Sequence, residues 1–146
     1  MNAVAEVETS MVVSSDGPIL FYDGGCALCH GAVRRLLQWE RDPGAAPLRF
    51  APLEGVTATE HRQRGRLSTS LEAVVLIYGE RHYSGEEAVG EALRHIGRPG
   101  WSKAFRCCPA FLRRWGYRRI ARHRTRWFGR VALDCPTPAG PARMLP

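Results

Sequence analysis

The chain has 146 residues, 45% of them hydrophobic, enough for one domain with an ordinary core and too few for two comfortable ones. No apolar run approaches the roughly 18–20 residues of a membrane-spanning helix, and the N-terminal "MNAVAEVETSMVVSSDG", with two glutamates, no basic residue and no long apolar centre, does not read as a secretory signal. The net charge of +7 is unevenly placed: residues 1–100 carry ten arginines and thirteen acidic side chains, whereas residues 101–130 carry ten basic side chains and no acidic one.

Residues 1–16 are small and polar and read as a loose tail. "PILFY" (18–22) follows Asp-Gly and reads as a buried strand. From Cys26 the period changes. Cys29, Val33 and Leu37 recur at helical spacing with Leu28, Ala32 and Leu36 on the adjacent row, while Arg34, Arg35, Gln38 and Arg41 largely take the other side. This predicts an amphipathic helix ended by Asp42-Pro43-Gly44.

"LRFAPL" (48–53) alternates and predicts a second strand, residues 57–65 a short polar helix closed by Gly65, and "LEAVVLIY" (71–78) a central strand, apolar on both faces. Gly79-Glu80 and "RHYSG" predict a hairpin, after which Ser84 and Glu87 have the spacing of a capping box. The helix that follows runs through Ala88, Val89, Ala92, Leu93 and Ile96 to Gly97. A basic helical region extends from Trp101 to about Gly129, and the proline-rich residues 136–146 read as an irregular tail. A single domain over residues 17–135 remains. A β-α-β unit followed by a hairpin and a helix is the order of a thioredoxin-like α/β fold, here with an added basic helical C-terminus. The C-x-x-C of Cys26 and Cys29 falls at the C-terminal end of the first strand, the edge where open α/β sheets place reactive sites.

Five cysteines are present: Cys26, Cys29, Cys107, Cys108 and Cys135. An odd number without a signal peptide argues against a disulfide-stapled secreted scaffold, and places the protein in the cytoplasm, where thiols are kept reduced. A helix N-terminus offers unpaired N–H groups and about half a positive charge, so a thiolate is favoured there. Cys26 at the first turn suits a nucleophile, and Cys29 one turn on suits a resolving thiol that attacks the mixed disulfide. Gly24 and Gly25 are expected to let the chain turn sharply and leave the Cys26 sulfur uncovered.

Two other uses compete. Zinc also takes C-x-x-C, but wants four ligands. The adjacent pair Cys107-Cys108 makes a poor second knuckle, and nothing in the spacing of His30 or His123 demands a metal. Alternatively, the two thiols pack in a core. The β-α context favours redox use over both. Cys107 and Cys108 read as packing residues, and Cys135 as an incidental or exchangeable thiol.

"YDGGCALC" resembles the signature of the DCC family of predicted thiol-disulfide oxidoreductases, named for an Asp followed by two cysteines, here Asp23, Cys26 and Cys29. "RHYSGEEAVGEALRHIG" is similar to the family's hairpin and helix. "YRRIARHRTRWFG" is similar to its C-terminal segment through Tyr117, Ala121, Arg124 and Gly129. The resemblance covers about residues 18–135 and implies a thioredoxin-like fold with protein-disulfide reductase activity.

Projected on a helix, Tyr117, Ile120, Ala121, Arg124 and Phe128 share one face. Arg124 is a charge on an apolar stripe, so if buried it needs an anionic partner; of the two candidates, Asp23 and the Cys26 thiolate, Asp23 is the expected one, a pairing that would brace the active-site loop. Otherwise it snorkels to solvent. Asp23 has two candidate roles, capping the turn before the helix or accepting the Cys29 proton; the first is preferred, because a carboxylate beside Cys26 would raise its pKa. The chain departs from thioredoxin in having no proline in "LSTSLEAVV", where Ser68, Thr69 or Ser70 takes the usual cis-proline position. It also lacks a tryptophan ahead of Cys26 and a proline between the cysteines.

The resulting expectation is a thiol-disulfide oxidoreductase with Cys26 as nucleophile, Cys29 as resolver, and Asp23, Gly24, Gly25 and Arg124 in support. The dithiol is itself the redox couple, so no metal or organic cofactor is implied. The partners are a protein or small-molecule disulfide and an unnamed thiol electron donor. The rival is a non-catalytic module docking a membrane surface or nucleic acid through residues 101–130, where Trp101, Phe105, Phe111, Trp115, Trp127 and Phe128 interleave with the basic residues. Many of those aromatics are expected to be core. The chain's one lysine, Lys103, means that arginine fills nearly every basic position, which weakens the charge block as a sign of function.

Overall fold

The run after Pro18 forms β1 (Ile19–Tyr22), whose side chains alternate between two faces of a sheet. In the computed structural model, which describes residues 17–40, 46–68, 74–132 and 143–146, β1 pairs in parallel with β2 (Arg49–Pro52) and antiparallel with β3 (Val75–Tyr78). A hairpin joins β3 to β4 (Arg81–Ser84), which completes the order β2-β1-β3-β4. β3 is therefore internal, as its apolar sequence predicts.

α1 (Ala27–Trp39) makes the crossover between the parallel strands. With α3 (Glu86–His95) it covers the face that carries Leu20 and Tyr22, burying Val33, Phe50, Leu76, Ala88, Ala92 and Ile96. α2 (Val56–Gln63) covers the other face, where Phe21, Ala51, Leu53, Ala58, Val75 and Ile77 meet. Helices on both faces of a β-α-β unit extended by a hairpin give the thioredoxin-like fold expected from the element order.

Several local expectations are corrected. α1 stops at Trp39, with Glu40 as its C-cap, short of Asp42-Pro43-Gly44. The Glu40 carboxylate there accepts the Leu48 N–H at 3.3 Å and pairs with Arg143. Ala32 faces solvent rather than the core. The Ser84/Glu87 capping box does not form, because Ser84 stays in the β4 ladder opposite Val75 and Gly85 is the N-cap of α3. Residues 41–45 and 69–73, the second including Thr69 and Ser70, lie outside the described residues, as do residues 1–16 and 133–142 with Cys135.

Gly85 adopts φ +59°, and the Tyr117 ring lies 3.4 Å from the place a Cβ would occupy. Gly85→Ala is expected to destabilise the fold by more than about 1 kcal/mol, read as a lower urea midpoint at unchanged slope.

The basic C-terminal region is α4 (Pro99–Cys107) and α5 (Ala110–Phe128), divided at Cys108-Pro109. α5 packs on α1 and α3 yet buries no residue fully. Its inner stripe is Tyr117, Ala121 and Arg124, whereas Ile120 and Phe128, expected on that stripe, are about half exposed. Trp101, Phe111, Trp115 and Trp127 are also more than half exposed, so the expectation of core aromatics fails for all of them; only Phe105 is partly covered, against Gly90. Cys107 is exposed and Cys108 half-buried, so neither is the packing residue expected.

Nor is the end of the chain irregular throughout. Phe50 N–H donates to the Arg143 carbonyl at 2.8 Å and Leu145 N–H to the Phe50 carbonyl at 2.9 Å, which lays Met144 along the free edge of β2. An open strand edge is thereby covered.

Candidate active site

The dithiol sits where β1 hands over to α1. Cys26 is the N-cap of α1 in extended conformation, and Cys29 lies one turn on, on the buried face beside Val33. Asp23 shapes the loop before them: its Oδ1 accepts the Gly25 N–H at 2.9 Å, and its carbonyl accepts the Cys26 N–H at 3.2 Å. This is the turn-capping role preferred for Asp23 from sequence. Gly24 N–H donates to Glu54 Oε2 at 3.1 Å, and the Gly24 carbonyl accepts from His30 Nε2 at 2.7 Å. Neither Gly24 nor Gly25 adopts a positive φ, so the turn is held by these hydrogen bonds rather than by glycine-specific conformations.

Cys26 is not uncovered. It is fully buried, and Cys29 nearly so at 7% exposure. After α5 the chain turns at Gly129 (φ +81°) and crosses the dithiol loop: Ala27 N–H donates to the Gly129 carbonyl at 3.3 Å, and Val131 N–H to the Gly25 carbonyl at 3.2 Å. Arg130 bridges Cys26 antiparallel between these bonds. This crossing strap satisfies an N–H at the start of α1 and lies across the dithiol loop.

Arg124 reaches in from α5. Its Nη2 lies 2.9 Å from Asp23 Oδ2, and its Nη1 donates to Cys29 Sγ at 3.4 Å. Both charged side chains are about five-sixths buried, so the odd arginine on the apolar stripe pairs inward and does not snorkel. The sulfur it touches belongs to Cys29, not Cys26. Burial works against the charge of Arg124, but the neighbouring Cys29 and Asp23 more than offset it and its pKa is raised.

Cys29 is pushed up to about 12 from 9.0, first by burial, then by its hydrogen bond to Cys26 and its electrostatic interaction with that neighbour; Arg124 pulls the other way. Because the folded value lies above the unfolded one, this contribution to stability is full below about pH 9 and is lost as pH rises through about 12. Wild type is expected to lose more stability than Cys29→Ser between about pH 8.5 and 10.5, measured by urea unfolding. Tyr22 also rises to about 12, mainly through burial and then through Glu54, with Cys29 a smaller cause, so most of its effect is common to both proteins.

Tyr117, on the same stripe as Arg124, accepts the Val74 N–H at 3.1 Å and ties α5 to the start of β3. Glu54 and His30 were not singled out for this loop from sequence. The signal for Glu54 was its place just after β2, whose parallel pairing with β1 brings both C-terminal ends together. Among the described residues, no three His, Cys, Asp or Glu side chains gather as a metal site.

Two free thiols at the start of the first helix of a thioredoxin-like domain, braced by a buried Asp-Arg pair, define the class of protein. Residues 20–130 match the model of the DCC1-like thiol-disulfide oxidoreductase family, and the chain belongs to that family. It is 32% identical over 127 residues to a DCC family protein of Arabidopsis thaliana whose name marks it as chloroplastic, covering 84% of this chain and 72% of that one. It is 31% identical over 133 residues to the uncharacterized protein YuxK of Bacillus subtilis, covering 88% of this chain and 93% of that one. No solved structure gives a significant match.

Proposed function

We propose that the protein is a thiol-disulfide oxidoreductase of the protein-disulfide reductase type, working through Cys26 and Cys29 in the reducing cytoplasm. The observation that carries this reading is the Arg124 guanidinium, held by Asp23 against the Cys29 sulfur beside Cys26. The Cys26 thiolate attacks one sulfur of a substrate disulfide, and the other leaves as a thiolate that takes a proton. Cys29 then loses its proton and attacks Cys26 Sγ, expelling the second substrate thiol. Two electrons pass from the dithiol to the substrate, and a cellular thiol returns them. Arg124 favours the second step, because its charge works against the burial that keeps Cys29 protonated. Attack by Cys26 requires the strap at 129–131 to part from the loop. No metal or organic cofactor enters this scheme.

The test is a redox titration in glutathione and dithiothreitol buffers, read by mass-tagging of free thiols, with zinc assayed on the same sample. One reversible two-electron transition confined to Cys26 and Cys29 supports the reading. No such disulfide, or thiols protected by stoichiometric zinc, overturns it.

The exposed aromatics of α5 favour a second reading, in which Phe111, Trp115 and Arg119 dock on an anionic membrane surface and the cysteines are structural. No helix among the described residues is long and apolar enough to cross a membrane. Co-sedimentation with phosphatidylserine vesicles, lost in Phe111→Ser with Trp115→Ser, supports it. Absence of binding at low salt sinks it, and salt-sensitive binding to single-stranded DNA alone would point to nucleic acid instead.

A further inference from the structure

Beside the Asp23-Arg124 brace lies a cleft of about 800 Å³, between α5, the β4–α3 turn and the dithiol loop. Its size suits a small molecule rather than a protein surface. Five of its lining residues are arginines: Arg114, Arg118, Arg122, Arg124 and Arg130. Two of these are neutralised, Arg114 by Glu86 at 3.3 Å and Arg124 by Asp23. Arg118, Arg122 and Arg130 are exposed and have no acidic partner among the described residues. The main chain of Arg130 is bridged to Cys26, so one of these cations lies beside the dithiol loop while the strap is closed, and Arg118 and Arg122 line the α5 wall one helical turn apart.

We propose that this cleft binds a low-molecular-weight disulfide carrying carboxylates, seated on Arg118, Arg122 and Arg130 with its sulfurs toward Cys26. The inference rests on the thiol-disulfide reading above and names the substrate class of that site. Planar guanidinium groups pair with carboxylates through two parallel N–H bonds. Three cations without an acidic partner among the described residues, lining a concave wall, also raise the local concentration of an anion, an effect that salt screens. The reaction is the exchange already written: the protein dithiol becomes a disulfide and the bound disulfide becomes two thiols.

The experiment compares turnover of oxidised glutathione (anionic), hydroxyethyl disulfide (neutral) and cystamine (cationic) at low and high salt, beside an acidic peptide disulfide. Oxidised glutathione is expected to exceed cystamine in kcat/KM by about tenfold or more at low salt, with the ratio falling as salt rises. Arg118→Gln with Arg122→Gln is expected to bring that ratio near one. Lys103→Gln with Arg106→Gln, which removes the same charge from α4, keeps it. Equal turnover of the three small disulfides, or a preference for the peptide over all of them, overturns the proposal. Calorimetry of S-methylglutathione, which cannot exchange, separates the cleft from the chemistry. If no disulfide is turned over yet S-methylglutathione binds through Arg118 and Arg122, the cleft stands and the oxidoreductase reading falls. If it does not bind, the cleft falls whatever the thiols do.

Discussion

Cys26→Ser is expected to abolish disulfide reduction, and Cys29→Ser to leave the first attack intact while trapping substrate as a mixed disulfide on Cys26. The asymmetry follows from the positions of the two sulfurs. Cys26 caps α1, where the helix N-terminus favours negative charge. Cys29 is held protonated by burial and by Cys26, so it is a poor first nucleophile. Its turn comes when a mixed disulfide has tied up the Cys26 sulfur, while Arg124 remains beside Cys29. Non-reducing mass spectrometry after incubation with substrate reads both outcomes. A mixed disulfide accumulating on Cys29 in Cys26→Ser, with none on Cys26 in Cys29→Ser, would reverse the assigned order. The serines are nearly isosteric, and urea midpoints close to wild type would show that lost activity is not lost fold.

The second large effect concerns the brace. Asp23→Asn keeps an oxygen able to accept the Gly25 N–H but removes the charge that faces Arg124. Arg124→Gln removes the other member. Each is expected to cost about 1.5–3 kcal/mol, the range for a charge-assisted hydrogen bond losing one partner. The double variant should cost clearly less than the two together, with a coupling of about 0.5–3 kcal/mol. Additive losses would show that the two side chains do not support one another. Arg124→Lys should recover part of the stability but little of the Cys29 reactivity, because one ammonium cannot reproduce a fork that spans Asp23 and Cys29. The rate of the second exchange step separates this role from a purely structural one.

What was legible in the sequence was local or periodic. The switch of period at Cys26, the alternation in "LRFAPL" and the Gly79-Glu80 turn each carry their own signal, and together they give the order of elements along the chain. The charge on the α5 stripe pointed to Asp23 because an arginine facing inward needs an anion. What escaped depends on segments distant in the chain meeting. Nothing near Cys26 announces that residues 129–131 will lie over it, so its sulfur read as open. Ser84 has the spacing of a helix cap, but the β3–β4 ladder holds it first. The α5 aromatics looked like core because aromatics usually are, yet that helix touches the domain along one narrow stripe. The last four residues read as loose from their composition, and the β2 edge claims them.

The reactive loop and its brace are separated by 95 residues between Cys29 and Arg124, which bears on how the protein is made. During synthesis the β1–α1 segment leaves the ribosome with both thiols long before α5 exists. The newborn dithiol has neither its guanidinium nor its covering strap, and is open to adventitious oxidation. Closing so long a loop is also slow, since the entropy must be spent before the contacts form. The mature chemistry of the pair is therefore the last property the nascent chain acquires, arriving only when α5 docks.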